Sequence, residues 1–195
     1  MEEVRFGSAL QNGVREFAYR FAPNLQVAAT LTLKTTALIK VPRFENYDGG
    51  KYEFLKKLND EIRNSTIRRF EKRLTQHLYG NQAKHKNNKH WAKPLILVAV
   101  EGLNTHKRPH LHIAVGNIPE DKLARIDEII TKAWHDCDFG NDMTCIKPLS
   151  DSYGWLDYMT KEVGYTDNDA FSVEHTCIPG IITERICTES RLLLD

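Results

Sequence analysis

The chain has 195 residues, of which 27% are charged and 41% hydrophobic, and a formal net charge of +1. That length suits one domain, or one domain with extensions, and is enough to bury a sizeable core. No long apolar run and no basic leader before an apolar segment is present, so the expectation is a soluble, unexported protein away from membranes, cytoplasmic, or nuclear in a eukaryotic host. Cys137, Cys145, Cys177 and Cys187 form no Cys-x-x-Cys pair and read as reduced thiols rather than a zinc cluster.

In chain order, residues 1 to about 25 carry no clean period, although Val14, Phe17 and Phe21 are spaced for one short helix. From Val27 to Lys34, Val27, Ala29, Leu31 and Leu33 alternate with threonines, which predicts a half-buried strand. A loop with Pro42 and Asp48-Gly49-Gly50 follows. A long helix is expected from about Tyr52 to Leu78, because Leu55, Leu58, Ile62, Phe70, Leu74 and Leu78 recur at three- and four-residue steps. Gly80 closes it, and the polar, basic segment to His90 reads as an exposed loop. Between Arg63 and Lys93 basic residues face a single acid, Glu71, an excess that suits a polyanion and equally suits a solvated helix face.

Leu95 to Glu101 is a near-continuous apolar run, too short for a helix and expected at the centre of a sheet. After a turn, Gly102 to Arg108, the chain reads His110-Leu111-His112-Ile113-Ala114-Val115. Strand alternation turns His110 and His112 to one face and Leu111, Ile113 and Val115 to the other. Two imidazoles on one face can hold a metal, although either alone also fits an ordinary strand histidine. An antiparallel hairpin brings Glu101 beside His110 as a third ligand.

Pro119, Glu120 and Asp121 open the next helix, with Leu123, Ile126, Ile130 and Ala133 on its inner stripe. Met143 to Lys147 reads as a short strand. Ser150 or Asp151 then caps a helix to Val163, ended by Gly164. At about 100° per residue, Leu156, Met159 and Val163 share one sector, and Tyr158 lies about 130° from it with Lys161 on the same side. A tyrosine off a filled apolar stripe is either an edge residue with its hydroxyl in water or a nucleophile, which attacks only if an adjacent cation or base assists loss of its proton or the electrophile is strongly polarised. A polar loop to His175, a strand from Gly180 to Cys187 and a leucine-bearing tail complete the chain. The predicted order implies an α+β fold: a ferredoxin-like five-stranded antiparallel sheet with helices largely on one side, one domain spanning 1–195 with a core of about 27–187, an N-terminal extension and a short C-terminal tail.

Glu101 followed by His110-Leu111-His112, then Tyr158-Met159-Thr160-Lys161, resembles the HUH endonuclease superfamily, which includes replication initiators of rolling-circle phages, plasmids and small single-stranded DNA viruses. Thr30-Leu31-Thr32-Leu33 is similar to the family's first motif, the histidine pair to its second, and Tyr158 with Lys161 to its third. The similarity spans roughly Val27 to Gly164. Glu162 stands where the two-tyrosine subclass has its second tyrosine, so the chain resembles the one-tyrosine class. No Gly-rich loop ending in Lys-Ser or Lys-Thr is present, so the helicase domain fused to many such initiators is missing and a separate helicase and polymerase are implied.

The resemblance implies sequence-specific nicking and joining of single-stranded DNA or an origin hairpin at a replication origin. His110, His112 and Glu101 would hold one divalent cation, Mn²⁺ or Mg²⁺. Tyr158 would be the nucleophile, with Lys161 assisting it or steadying the phosphate. Lys107, Arg108, Lys34, Arg69, Arg73, Lys86 and Lys89 would contact DNA. Trp91 and Trp155 are candidates for base stacking as well as for core or edge positions. A transposase or relaxase of the same superfamily, or a non-catalytic single-strand-binding module of the same architecture, are the alternatives. Oligomeric state is not legible.

Overall fold

The computed structural model of the chain describes residues 8–41, 52–88, 90–102 and 107–192. Its elements in order are helix α1 (Ala9–Tyr19), strands β1 (Leu25–Leu33), β2 (Thr36–Val41) and β3 (Tyr52–Lys57), helix α2 (Asp60–Tyr79), strands β4 (Leu95–Glu101) and β5 (His110–Gly116), the single turn α3 (Glu120–Leu123), helix α4 (Ile126–His135), strand β6 (Gly140–Pro148), and helices α5 (Ser152–Met159) and α6 (Gly180–Leu192). No described helix is long and apolar enough to cross a membrane. All four cysteines are free.

The main sheet is antiparallel with spatial order β4-β5-β1-β6, and β2 and β3 form a separate two-stranded sheet. Within the main sheet the chain runs strand, helix, strand, strand, helix, strand, with α2 carrying it from β1 to β4 and α3 and α4 from β5 to β6. The expected five strands are therefore four among the described residues. The missing one is the Gly180–Cys187 run, which is helical and belongs to α6. Its isoleucines suggest a strand, but Ile182 and the partly buried Ile186 are four residues apart and pack on the same core.

The sheet is covered on both faces rather than largely on one. Val27, Ala29, Leu31 and Leu33 of β1 and Leu111, Ile113 and Val115 of β5 pack with Ile67, Phe70 and Leu74 of α2 and Ile130 and Trp134 of α4. On the opposite face Leu95, Leu97, Ala99 and Ala114 pack with Ala18 of α1, Leu156 and Met159 of α5, and Ile182 of α6. A strand in such a sandwich has no wet face, and all seven residues of β4 are buried. A bulge between Leu25 and Val27 lets Leu25 join the second core while Val27, two residues on, faces the first.

Several boundaries differ from expectation. The long helix begins at Asp60, not Tyr52, because Asn59 caps it, its side chain accepting from the Ile62 amide at 2.8 Å. Tyr52–Lys57 instead pairs along its whole length with Thr36–Val41, a ladder that the helical spacing of Leu55 and Leu58 conceals. Pro42 and Asp48-Gly49-Gly50, where a loop is expected, lie outside the described residues. The helix after Pro119 is broken at Ala124 and Arg125 into α3 and α4. Gly80 to Asn88 holds two short 3-10 turns where the unperiodic sequence predicts a loop.

Candidate metal centre

The β4/β5 ladder sets Glu101 directly opposite His110 and Ala99 opposite His112, as the hairpin predicts. Gly102 makes this possible: its φ is +85°, and a Cβ there would lie 2.6 Å from the Arg108 carbonyl oxygen. On the other side of β5, β1 sets Thr32 opposite His110 and Thr30 opposite His112. Alternation then carries Glu101, His110, His112 and Thr30 to the face covered by α5. Leu111 and Ile113 go to the opposite core.

The donor atoms converge. His112 Nε2 lies 3.4 Å from Glu101 Oε1, His110 Nε2 lies 3.6 Å from Glu101 Oε2, and the two Nε2 atoms are 3.1 Å apart. The three residues each offer one ligand atom within 4.8 Å of the others, so the group can hold a metal ion. His110 Nδ1 lies 2.8 Å from the Arg108 carbonyl, which only accepts, so Nδ1 carries a hydrogen and Nε2 keeps its lone pair in the neutral ring. His112 Nδ1 lies 3.0 Å from Thr30 Oγ1, a hydroxyl able to accept in the same way. Each imidazole is thus braced through one nitrogen and offers the other, the arrangement found behind metal-ligating histidines. Thr30 has no assigned role in the sequence, although strand alternation alone sets it on the histidine face.

Glu101 is only 2% exposed. Burial pushes its carboxyl up, but hydrogen bonds from His110, His112 and Lys161 outweigh this and hold it well below the usual carboxylate range. Its hydrogen bond to Glu101 raises His110, against the opposing effect of burial. Glu101 therefore stabilises the fold above about pH 4.3, an effect lost only as pH falls through its depressed folded pKa. His110 contributes fully below about pH 6.5, and that contribution is lost as pH rises through its raised folded pKa. Thermal unfolding in chelator should accordingly show Tm falling from about pH 6.5 toward alkaline pH, with His110→Gln flattening the decline. A Tm that is level across this range in the unaltered chain would contradict the pairing.

Helix α5 closes the site. Asp151 caps it, accepting from the Gly154 amide at 2.9 Å, and the carboxylate sits so close that a Cβ at Gly154 would meet it at 2.2 Å. The regular helix ends at Met159, short of the expected Val163, and Thr160 Oγ1 donates back to the Leu156 carbonyl at 3.0 Å. Helix α1 ties it down: Gln11 Nε2 donates to the Thr160 carbonyl at 2.9 Å, the Tyr19 hydroxyl to Asp157 Oδ1 at 2.5 Å, and Arg15 pairs with Asp157 at 3.0 Å. Trp155 Nε1 donates to the Ile113 carbonyl at 3.2 Å, pinning α5 to the strand that carries the histidines.

Tyr158 is thereby brought over the donor set, its ring centroid 4.9 Å from that of His112, while the residue remains 44% exposed. Trp155 stacks on Tyr158 at 5.5 Å, so its indole supports the phenol and the helix. Lys161 is also at the site, but its Nζ is 2.6 Å from Glu101 Oε1 and 3.4 Å from the centroid of the Tyr158 ring.

The expected DNA-contacting residues divide. Lys34 and Arg108, with Thr35, Thr36 and Asn141, line a cleft of about 280 Å³ whose Arg108 is two residues from His110. Lys107 is exposed beside it. Arg69 and Arg73 are on α2, which packs on the opposite face of the sheet, and their guanidiniums pair with Asp138 at 2.8 Å and Asp136 at 4.0 Å. Lys86 falls in a 3-10 turn, and Lys89 lies outside the described residues. Trp91 packs edge-on against Tyr79, away from this cluster. No family model, no curated protein and no solved structure matches the chain, so the geometry of this cluster alone speaks to its chemistry.

Proposed function

We propose that the chain is a metal-dependent DNA strand nickase and religase of the HUH type, acting on single-stranded origin DNA or an origin hairpin. One observation carries this reading: a partly exposed phenol, Tyr158, stands beside a donor set of buried Glu101 and His112 with half-buried His110. The strand order β4-β5-β1-β6, with helices between β1 and β4 and between β5 and β6, supports it as a four-stranded form of the ferredoxin-like pattern.

Two imidazole nitrogens with one carboxylate suit Mn²⁺ better than Mg²⁺, which prefers an all-oxygen shell. A divalent cation held by Glu101, His110 and His112 would supply Lewis-acid polarisation of the scissile phosphate. The Tyr158 oxygen attacks phosphorus in line and loses its proton. The bond from phosphorus to the 3′ oxygen breaks, leaving a free 3′-hydroxyl and a 5′-phosphotyrosine. The phosphodiester energy is conserved, so a later 3′-hydroxyl reverses the step and joins the strand. Trp155 holds the phenol in place by stacking, and Lys34 and Arg108, which line one cleft, would take flanking phosphates.

Incubation with a pool of single-stranded oligonucleotides and Mn²⁺, followed by a denaturing gel, tests the reading. A protein band shifted by bound oligonucleotide is expected, and its absence across a pool covering all short sequences would count against the proposal. Binding should also weaken linearly in log salt. Arg108→Ala should lower that slope by roughly one unit, whereas Arg73→Ala, on the far face, should leave it unchanged. A slope that responds to Arg73 and not to Arg108 would move the DNA to the other face of the sheet.

A further inference from the structure

Lys161 does more than stand near the tyrosine. Its ammonium lies 2.6 Å from Glu101 Oε1, the same oxygen that faces His112 Nε2 at 3.4 Å. A cation ligated by Glu101, His110 and His112 would lie against the carboxylate that this ammonium already holds, and a divalent ion and an ammonium on one buried carboxylate repel each other strongly. We infer that Lys161 is the cation of the donor set in the metal-free protein, and that metal binding ejects it from Glu101.

The direction in which it leaves is set by its surroundings. Glu101 is sealed at 2% exposure, whereas the Lys161 side chain is 33% exposed and already extends across the Tyr158 ring, with Nζ 3.4 Å from the centroid. A lysine released from the carboxylate therefore swings outward past the phenol, to the open side where DNA would approach. Without metal, the lysine neutralises a buried carboxylate, its ammonium held by Glu101 against the face of the Tyr158 ring. With metal, the ammonium is freed from the carboxylate for the phenol oxygen and the phosphate. Loading the ion and arming the tyrosine become one event, and Lys161 acts on the reaction as a positioning residue whose availability the metal sets.

This inference rests on the metal reading of the cluster, and the test separates the two. Mn²⁺ titration of the whole chain, read by the electron paramagnetic resonance of free Mn²⁺, compares the unaltered protein with Lys161→Gln. Removing the competitor should tighten Mn²⁺ binding by about tenfold or more, the order of an ordinary coupling between two ligands of one site. In parallel, the unaltered protein is treated with an amine-acetylating reagent with and without saturating Mn²⁺, and the Lys161 peptide is quantified by mass spectrometry. Acetylation of Lys161 should rise several-fold with the metal. Equal or weaker Mn²⁺ binding in Lys161→Gln, or acetylation indifferent to Mn²⁺ in a protein that binds it, overturns the competition and leaves the metal site standing. Failure of the unaltered chain to bind Mn²⁺ at all removes the metal site and this inference with it. Should Lys161→Gln not fold, the acetylation measurement on the unaltered protein decides the matter by itself.

Discussion

His112→Ala, or removal of divalent ions by chelation, should abolish strand cleavage while most of the affinity for DNA survives. His112 supplies one of the two nitrogen donors, and Thr30 Oγ1 braces its ring at 3.0 Å from Nδ1. Losing that donor leaves one nitrogen and one oxygen, too few to hold an ion at low concentration. Lewis-acid assistance amounts to several kcal/mol of transition-state stabilisation, so its loss should slow cleavage by roughly 10³-fold or more. The phosphate contacts proposed for Lys34 and Arg108 would lie in a separate cleft and should be untouched. The substitution also deletes a ring packed against Trp155 and Tyr158, so a stability loss of about 1–3 kcal/mol is expected. Thermal unfolding, Mn²⁺ titration and a cleavage assay on the same preparation separate these effects. Loss of binding and cleavage in equal measure would mean that the histidine is structural.

Tyr158→Phe should have the largest effect with the least disturbance. The ring keeps its stacking on Trp155 and its edge contact with His112, and only the phenol oxygen is removed. Folding, Mn²⁺ affinity and DNA binding should stay near those of the unaltered protein. Nicking, joining and covalent adduct should disappear together, because all three pass through the same oxygen. Lys161→Ala should slow the reaction without ending it. Loss of nicking with joining retained would break the link between the two half-reactions that a shared phosphotyrosine requires.

The grouping of Glu101, His110 and His112, which could hold a metal ion, is legible in the sequence because both rules that join them are local. Strand alternation sets His110 and His112 on one face, and a hairpin sets Glu101 opposite His110. The exposed side of α5 was legible for the same reason, since three apolar residues define its buried stripe. What escaped depends on contacts distant in the chain. Leu55 and Leu58 fit a helix until the partner strand Thr36–Val41 is known. The isoleucines of Gly180–Cys187 fit a strand until Ile182 and Ile186 are seen against one core. The basic run from Arg63 onward gives no sign of which face of the sheet α2 covers, so Arg69 and Arg73 fall on the side away from the site. Lys161 was expected to assist Tyr158, and its pairing with Glu101 follows only from the docking of α5 by Gln11, Tyr19 and Trp155.

Among the tyrosines near this site, Tyr153 and Tyr165 are both exposed, at 53% and 63%, so exposure alone does not select the nucleophile. Tyr153 packs against Tyr19 on the α1 side of the helix, whereas Tyr158 has its ring on His112. Peptide mapping of the protein–DNA adduct by mass spectrometry therefore tests the central claim most directly. The account predicts a nucleotide joined through its 5′ phosphate to Tyr158, formed only with a divalent cation and absent in Tyr158→Phe; a nucleotide on any other residue, or an adduct persisting in Tyr158→Phe, would contradict it.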